Sequence, residues 1–326
     1  MKAAVFSRYG GPEQVTLTEY PTPQCGDNEI LVRTLATTVS AADWRIRSLT
    51  VPKGFGLLMR LFFGFCTPRK PVLGTELAGE VVAIGNRVSR FQVGDRVIGY
   101  AGSQLGCHAE RRVFDQQDAV VIAPERLTTE QAAAVSFGGL TALDFLLDKA
   151  ELKAGERVLV IGASGAVGSA AVQIAVHLGA KVSAVCNAAN TELVTSLGAE
   201  HVVDYTQQNP LDGSQRYDVI LDAVGSASIN DYERALDEGG RALVVVADMP
   251  TTLSAGFRPS RNGKRYLCGT SSESLDTLKR LVKVVEAGGY TPLVDRCYHF
   301  EDIQQAHAYV DTGRKRGNVI IKITDL

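Results

Sequence analysis

The segment VLVIGASGAVGSAAVQIAVHLGA, residues 158–180, decides the fold of this 326-residue chain. Its apolar run VLVI is typical of a buried strand, and the sequence after the last glycine has the apolar spacing of an amphipathic helix. Glycines let the backbone turn sharply against a pyrophosphate, and a helix N-terminus offers unpaired N–H groups to it. We therefore predict a dinucleotide-binding turn, although Ala163 occupies one glycine position of the usual motif and a tight turn in an unrelated α/β fold is the alternative. The predicted contacts are Gly162, Ser164, Gly165, Ala166, Val167 and Gly168.

The end of the next predicted strand, KVSAVC at residues 181–186, bears on which dinucleotide binds. NAD-preferring sites usually place an acidic residue there, and this chain has Asn187. An aspartate 4 Å from a 2′-phosphate would repel it by roughly 4 kcal/mol at an effective dielectric of 20. Its absence removes the main barrier to NADPH, but NADH is not excluded, because no Lys or Arg lies between Asn187 and Glu200. Asn190 and Tyr205 are candidate hydrogen-bond donors to the phosphate, or else ordinary surface residues at strand ends.

Strand and helix patterns alternate from Pro124 onward, which predicts right-handed crossovers and a parallel sheet. Before that point, short Val- and Ile-rich runs separated by Gly and Pro predict a mostly β unit, and the tail returns to that pattern. We predict an α/β protein with a β-rich domain of residues 1–123 and 292–326 and a doubly wound, dinucleotide-binding domain of residues 124–291. In the second domain, Asp222 is a candidate helix cap, and Thr270 to Glu273 matches a capping box.

Composition excludes several classes of function. The 34 basic and 36 acidic residues give a net charge of -2, so no basic field is available and we expect no nucleic-acid partner. No apolar run reaches the length of about 18 residues that a membrane span requires. The six cysteines contain no CxxC pair, so neither a compact zinc site nor a disulfide framework is indicated. We expect a soluble, cytoplasmic protein.

Several motifs beyond the glycine turn resemble the medium-chain dehydrogenase/reductase superfamily. They are TTVSAADWRIR, PVLGTELAGEVVAIGNRVSRFQVGDRVIGY, SFGGLTAL and ELVTSLGAEHVVDY. Over its whole length the chain is most similar to the zinc-free quinone oxidoreductase branch, near the chloroplast-envelope and reticulon-interacting oxidoreductase homologues. The resemblance implies a GroES-like catalytic domain, a Rossmann domain, a nicotinamide ring in the cleft between them, and a homodimer paired through the strand RYLCGT.

Two positions separate the chain from the zinc-dependent members of that superfamily. Ser40 and Thr75 stand where those members have Cys and His ligands, and residues 124–150, where the third ligand would fall, contain no Cys or His. Neutral hydroxyls do not replace thiolate and imidazole at zinc, so we predict no metal. Without a Lewis acid to activate an alcohol, the substrate must itself be electron-poor. We therefore predict hydride transfer from NADPH to a quinone or an α,β-unsaturated carbonyl.

The resemblance also assigns positions to the remaining candidate residues. It places Ser40, Asp43 and Trp44 on the catalytic wall, Thr141 beside the nicotinamide, and Val224 and Gly225 along the adenosine half or the nicotinamide ribose. Ser40 is a candidate donor to the substrate oxygen, and Asp43 is expected to orient backbone. Trp44 either stacks on a flat substrate or packs in the core. No His or Tyr stands out as a general acid.

Two further segments have more than one interpretation. The apolar stretch at residues 54–66 is interpreted as a lid or substrate wall, with core packing and peripheral membrane contact as alternatives. The basic cluster of Arg258, Arg261, Lys264 and Arg265 is interpreted as a solvated loop rather than a phosphate-binding site. For the protein as a whole, an enoyl-thioester reductase and a low-turnover NADPH-binding protein with a redox-responsive or structural role are the alternatives.

Overall fold

The computed structural model describes residues 1–257 and 261–323, without the side chains of residues 256, 257 and 261. The strands in this part of the chain are β1 (Lys2–Phe6), β2 (Val15–Glu19), β3 (Glu29–Val39), β4 (Glu76–Ile84), β5 (Arg96–Tyr100), β6 (Arg111–Asp115), β7 (Val120–Ile122), β8 (Arg157–Ile161), β9 (Lys181–Cys186), β10 (His201–Asp204), β11 (Tyr217–Asp222), β12 (Leu236–Val244), β13 (Arg265–Cys268), β14 (Val294–His299) and β15 (Asn318–Lys322). The α-helices are α1 (Ala41–Ser48), α2 (Gly56–Phe63), α3 (Thr129–Ala133), α4 (Ser136–Leu143), α5 (Ala166–His177), α6 (Thr191–Ser196), α7 (Ile229–Ala235), α8 (Met249–Phe257), α9 (Leu275–Glu286) and α10 (Ile303–Asp311).

A parallel sheet follows the glycine turn. Its strand order is β10-β9-β8-β11-β12-β13, and every neighbouring pair is parallel. In order of appearance this is 3-2-1-4-5-6, the doubly wound Rossmann arrangement. The central residues of strands such as β8 and β11, 158–161 and 219–221, form continuous apolar runs because helices cover both faces of a parallel sheet. The order reverses between β8 and β11, where such sheets bind their ligands.

A second, mostly antiparallel sheet has the order β14-β15-β3-β4-β5-β7, with β6 also paired to β3. Along β3, buried and partly exposed residues alternate at first, as expected for a strand with one face on the core. The C-terminal strand β15 runs antiparallel to β3, with Val319 opposite Val39. Strands from before and after the parallel sheet therefore share one sheet, while β1 and β2 form a separate two-stranded sheet, and the exact domain boundaries stay a prediction.

Two predicted caps are wrong in detail. Helix α9 begins at Leu275, and its N-cap is Ser274, whose hydroxyl accepts from the Thr277 N–H. Glu273 instead accepts a hydrogen bond from the N–H of Ser103, so it takes no part in a capping box.

Asp222 likewise does not cap α7, whose N-cap is Ser228. Its carboxylate accepts from the N–H groups of Val224 and Gly225, each at 2.7 Å, and from the Tyr232 hydroxyl at 2.7 Å. Asp222 therefore holds the turn after β11 and does not satisfy the helix.

The structure narrows the interpretations of the basic cluster at residues 258–265 and of the apolar stretch at residues 54–66. Lys264 is buried and donates to the carbonyl of Glu233, so the solvated-loop interpretation is wrong for this residue, while Arg265 is exposed. Arg258 and the Arg261 side chain lie outside the described residues. In the apolar segment, Leu57, Leu58, Leu61, Phe62 and Phe65 are exposed, which excludes core packing for them.

Among the residues that the structure describes, no helix has the length and apolar character needed to cross a membrane. The cytoplasmic location stays a prediction.

Candidate functional site

The glycine turn connects β8 to α5, and of its three glycines only Gly165 has room for a side chain. A Cβ on Gly168 would lie 2.1 Å from the carbonyl oxygen of Gly162, and one on Gly162, whose φ is +78°, would lie 2.7 Å from Cγ2 of Val224. Packing inside the protein therefore requires both glycines. A Cβ on Gly165 would have the Gly162 oxygen at 3.5 Å as its nearest neighbour, which is an ordinary contact. The space in front of Gly165 is left for something other than the protein.

A cavity of about 1100 Å³ opens in front of this turn, at the point where the sheet order reverses. Most of the predicted cofactor contacts line it, namely Gly162, Ser164, Gly165, Ala166, Val167, Gly168, Asn187, Asn190, Tyr205 and Val224. Gly225 lines a neighbouring cavity. Thr141 lies one helical turn from Phe137, a lining residue, and its hydroxyl donates to the Phe137 carbonyl.

Asn187 and Asn190 carry polar atoms that the protein does not pair. The Oδ1 atoms of both are buried and have no hydrogen-bond partner within the described residues, while Nδ2 of Asn190 donates to Ser164 Oγ at 3.2 Å. An unpaired buried amide oxygen is costly unless a ligand hydroxyl or N–H supplies the bond. Together with the open position at Gly165, these amides fit the sugar and phosphates of a dinucleotide.

A loop near the C-terminus also lines this cavity, and sequence reasoning missed it. Gly313, Arg314, Lys315 and Arg316 face the cavity, and the N–H of Gly317 donates to the carbonyl of Ser164 at 2.8 Å. Burial lowers the pKa of Lys315 to about 8, and its ammonium donates to the Gly317 carbonyl at 2.6 Å. The run GRKRG was the available signal, but nothing local connects it to a glycine turn about 150 residues earlier in the chain.

The predicted catalytic residues Ser40 and Asp43 bind each other. The Ser40 hydroxyl donates to Asp43 Oδ2 at 2.6 Å and accepts from the Asp43 N–H, so the pair forms a capping box at the start of α1. The other carboxylate oxygen of Asp43 accepts from the N–H of Gly74 at 2.9 Å. Asp43 thus ties α1 to the loop before β4. The hydroxyl hydrogen of Ser40 points to this carboxylate and not to the cavity.

A second buried carboxyl lies at the first residue of β4. Glu76 accepts from Thr38 Oγ1 at 2.6 Å and from the N–H groups of Ser136 and Phe137 at 3.0 and 2.7 Å. Burial raises the pKa of Glu76 to about 7, although these donors oppose the change. The hydroxyl of the preceding residue, Thr75, is buried and has no partner in the described structure. Among those residues, no group of three or more His, Cys, Asp or Glu side chains is arranged to hold a metal ion.

A cavity of about 540 Å³ separates α1 and the loop after it from the ends of β11 and β12. On one side it is lined by Trp44, Arg45 and residues 50–53, and on the other by residues 225–228, 244 and 246–248 and by Thr251. The N–H of Met249 donates to the carbonyl of Lys53 at 2.9 Å and joins the two walls. Ser226 and Ala227 line both this cavity and the one at the glycine turn. We call the cavity of about 540 Å³ the interlobe cavity, because one of its walls comes from α1 and the loop after it and the other from the parallel-sheet part of the chain.

Known proteins match the chain along most of its length. Residues 26–143 match the family model of the alcohol dehydrogenase GroES-like domain, and residues 197–321 match that of the zinc-binding dehydrogenases. The pig quinone oxidoreductase is 31% identical, over 94% of this chain and 93% of the relative. The chloroplastic NADPH-dependent alkenal/one oxidoreductase of Arabidopsis thaliana is 29% identical, over 98% of this chain and 79% of the relative.

Solved structures agree with these matches. The quinone oxidoreductase of Coxiella burnetii superimposes with a TM-score of 0.85 at 27% identity, covering 99% of both chains. A GroES-like sheet, a Rossmann sheet with a glycine turn at its switch point, and a relative above 30% identity over nearly the whole chain lead to one assignment. The chain belongs to the quinone oxidoreductase branch of the medium-chain dehydrogenase/reductase superfamily.

Proposed function

We propose that this protein transfers a hydride from NADPH to an electron-poor acceptor, a quinone or an α,β-unsaturated carbonyl, without a metal ion. The observation that carries the proposal is the pair of adjoining cavities, one at the glycine turn and one between the lobes. The names of the pig and Arabidopsis relatives support both acceptor classes.

The cavity at the glycine turn favours NADPH over NADH. Asn187 places no carboxylate against a 2′-phosphate, and Arg314, Lys315 and Arg316 add positive charge to the same cavity. Guanidinium groups bind phosphate oxygens through two parallel hydrogen bonds. The residues that would hold the cofactor are therefore the glycine turn, the two asparagines, Tyr205 and this basic loop.

The donor set supports zinc independence. Ser40 and Thr75 offer neutral hydroxyls, which are poor zinc ligands, and the Ser40 hydroxyl is already bonded to Asp43. Bound NADPH would supply the hydride. A conjugated double bond then takes up the hydride at its β-carbon and a proton at its α-carbon, and a quinone takes up a hydride and a proton to give a hydroquinone. The open interlobe cavity admits water as the source of that proton.

The structure sets conditions on the roles predicted for Ser40 and Trp44. Ser40 can donate to a substrate oxygen only after its hydroxyl leaves Asp43. Trp44 is half-buried against the hydrophobic core and lies beside the Arg45 guanidinium, so a flat substrate could contact only the part of its ring that lines the interlobe cavity.

Steady-state assays test the proposal directly. NADPH and NADH are offered with quinones, 2-alkenals and crotonyl thioesters, and zinc is measured in the purified protein. We expect NADPH oxidation with a quinone or an alkenal and no stoichiometric zinc. Turnover confined to the thioester would favour an enoyl-thioester reductase, and tight NADPH binding without any turnover would favour a structural or redox-responsive role.

We also propose a homodimer that extends the parallel sheet. Among the described residues β13 is the last strand in the order of that sheet, so a second copy can extend the sheet at this edge. Light scattering after size-exclusion chromatography would show twice the mass of the chain. Replacing Leu267 with Pro at this edge would shift the protein to monomer, and a monomeric wild-type protein would contradict the proposal.

Helix α2 forms a surface that fits an anionic membrane. Leu57, Leu58, Leu61 and Phe62 are each more than half exposed, while Phe63 on the opposite side packs into the core. Within residues 54–71 the sequence has Arg60, Arg69 and Lys70 and no Asp or Glu. We propose that this apolar and basic segment rests on anionic lipid, since such surfaces gain from both buried apolar area and charge complementarity.

Vesicle co-sedimentation tests the membrane contact. The wild-type protein should pellet with vesicles containing phosphatidylserine and less with neutral ones, and the Leu58→Asp, Phe62→Asp variant should stay in solution. Equal pelleting of the two proteins would refute the contact. A change confined to the KM for acceptors would instead support the lid.

A further inference from the structure

Arg45 stands out in the interlobe cavity because no carboxylate among the described residues pairs with it. Its guanidinium makes no ion pair or hydrogen bond among the described residues, and its recorded side-chain interaction is with the Trp44 ring, at 5.8 Å from the ring centroid. Burial lowers the pKa of Arg45, and no nearby carboxylate opposes this change. The next arginine on the same helix, Arg47, contrasts with it, because Arg47 pairs with Asp311 and donates to the carbonyl of Gly10.

The acidic residue on the facing wall of the cavity is already in use. Asp248 accepts a hydrogen bond from the N–H of Thr251 in the first turn of α8, and Lys53 contributes to lowering the pKa of its carboxyl group. Lys53 and Asp248 thus offset each other in charge. Arg45 remains as one uncompensated positive charge in a partly desolvated cavity, an arrangement that is costly until an anion enters.

The guanidinium of Arg45 lies in the cavity where the acceptor is expected to bind. The interlobe cavity adjoins the dinucleotide cavity at Ser226 and Ala227, so a molecule bound at Arg45 lies next to the cofactor site. Arg45 also belongs to α1, the helix that begins after Ser40. A single uncompensated charge matches a monoanion, and the planar guanidinium matches the two oxygens of a carboxylate.

We propose that Arg45 binds a carboxylate on the acceptor, so that the protein reduces α,β-unsaturated oxo acids in preference to neutral enones. The reaction itself rests on the function proposed above, whereas recognition of the carboxylate rests on Arg45 alone.

A matched pair of acceptors tests the proposal, namely 4-oxopent-2-enoate and its methyl ester, with NADPH as reductant. Because acid and ester differ in intrinsic reactivity, the informative quantity is how the acid-to-ester ratio of kcat/KM changes between variants. We expect Arg45→Gln to lower this ratio at least tenfold and Arg45→Lys to restore part of it. Lys53→Gln is the matched control, because it also removes a cation from this cavity, but one whose charge Asp248 already offsets. It should change the acid-to-ester ratio less than threefold.

Two results would overturn the proposal. One is an equal loss of kcat/KM for acid and ester in Arg45→Gln, which would give Arg45 a general structural role. The other is an unchanged ratio together with a weakened dissociation constant for NADPH, measured by fluorescence, which would assign Arg45 to the cofactor.

Calorimetry with 4-oxopentanoate, the saturated product, measures recognition of the carboxylate without any reaction. It therefore tests the role of Arg45 independently of the proposed function. If the wild-type protein oxidises NADPH with neither of these acceptors nor with any quinone or 2-alkenal, the proposed function fails. Recognition by Arg45 still stands if Arg45→Gln weakens binding of this acid at least tenfold, and it fails if both proteins bind the acid equally or neither binds it.

Discussion

Gly165 and Gly168 belong to the same turn, but different neighbours constrain them. A Cβ on Gly168 would meet a backbone oxygen at 2.1 Å, whereas one on Gly165 would meet only ordinary contact at 3.5 Å. Gly165→Ala should therefore fold normally and weaken NADPH binding about tenfold, or about 1.4 kcal/mol, because the new methyl group occupies the ligand's space. Gly168→Ala should lower the free energy of unfolding by about 3 kcal/mol. Denaturant titration and NADPH fluorescence measure the two effects, and a destabilised Gly165→Ala protein would contradict this distinction.

Glu76 should make stability depend on pH. The folded protein keeps this carboxyl protonated up to about pH 7, whereas the unfolded chain releases the proton near 4.5. The contribution of Glu76 to the free energy of unfolding is therefore greatest below pH 4.5, falls as the pH rises, and is lost by about pH 7. The total change is about 3 kcal/mol. Glu76→Gln cannot titrate, so urea unfolding between pH 4.5 and 8 should show a flatter profile for this variant, and parallel profiles would refute the assignment.

At the scale of elements, the sequence patterns correctly predicted those strands, turns and helices that depend on residues close to each other in the chain. The strand, glycine turn and helix at residues 158–180 depend on neighbours in sequence, and they lie as expected. The start of α9 was misplaced because Ser274 and Thr270 are both acceptable caps, and only the contact between Glu273 and Ser103 decides between them. The exposure of α2 could not be decided from the sequence, which left a lid, core packing and membrane contact open, since apolar residues at helical spacing are typical of buried helices.

The basic loop at residues 313–317 should set the choice of cofactor. Its arginines line the dinucleotide cavity, so Arg314→Gln, Arg316→Gln should weaken NADPH binding about tenfold and leave the affinity for NADH within about threefold. The salt dependence of NADPH binding should decrease in parallel. Fluorescence titrations of both cofactors at several salt concentrations measure this, and an equal loss for NADH would place the arginines at the pyrophosphate instead.

At the scale of the whole molecule, residues that are distant in sequence form the candidate site. Ala41, the glycine turn and Arg314 come from the beginning, middle and end of the chain, and all line one cavity. The glycine-turn part of this site was predictable because a strand-turn-helix motif has a local signature. Arg45 was not predictable, because its proposed role depends on the lack of a carboxylate partner in three dimensions among the described residues.

Cofactor binding should stabilise both sheets together. NADPH at one hundred times its dissociation constant should add about 2.7 kcal/mol, which corresponds to a rise in Tm of about 4 °C in a protein of this size. Differential scanning calorimetry should show the rise in the wild-type protein. Gly165→Ala at the same NADPH concentration should show about half of it, and a shift confined to one of two separate transitions would contradict the shared site.

The pairing of β15 with β3 has a consequence for biosynthesis. β3 emerges from the ribosome long before its neighbour Asn318–Lys322, because most of the parallel sheet lies between them in the sequence. Every strand of the parallel sheet, by contrast, lies between Arg157 and Cys268. The nascent chain should thus complete its nucleotide-binding half while the first half still lacks a strand, and truncated translation products should resist protease in the middle of the chain before they do so at its start.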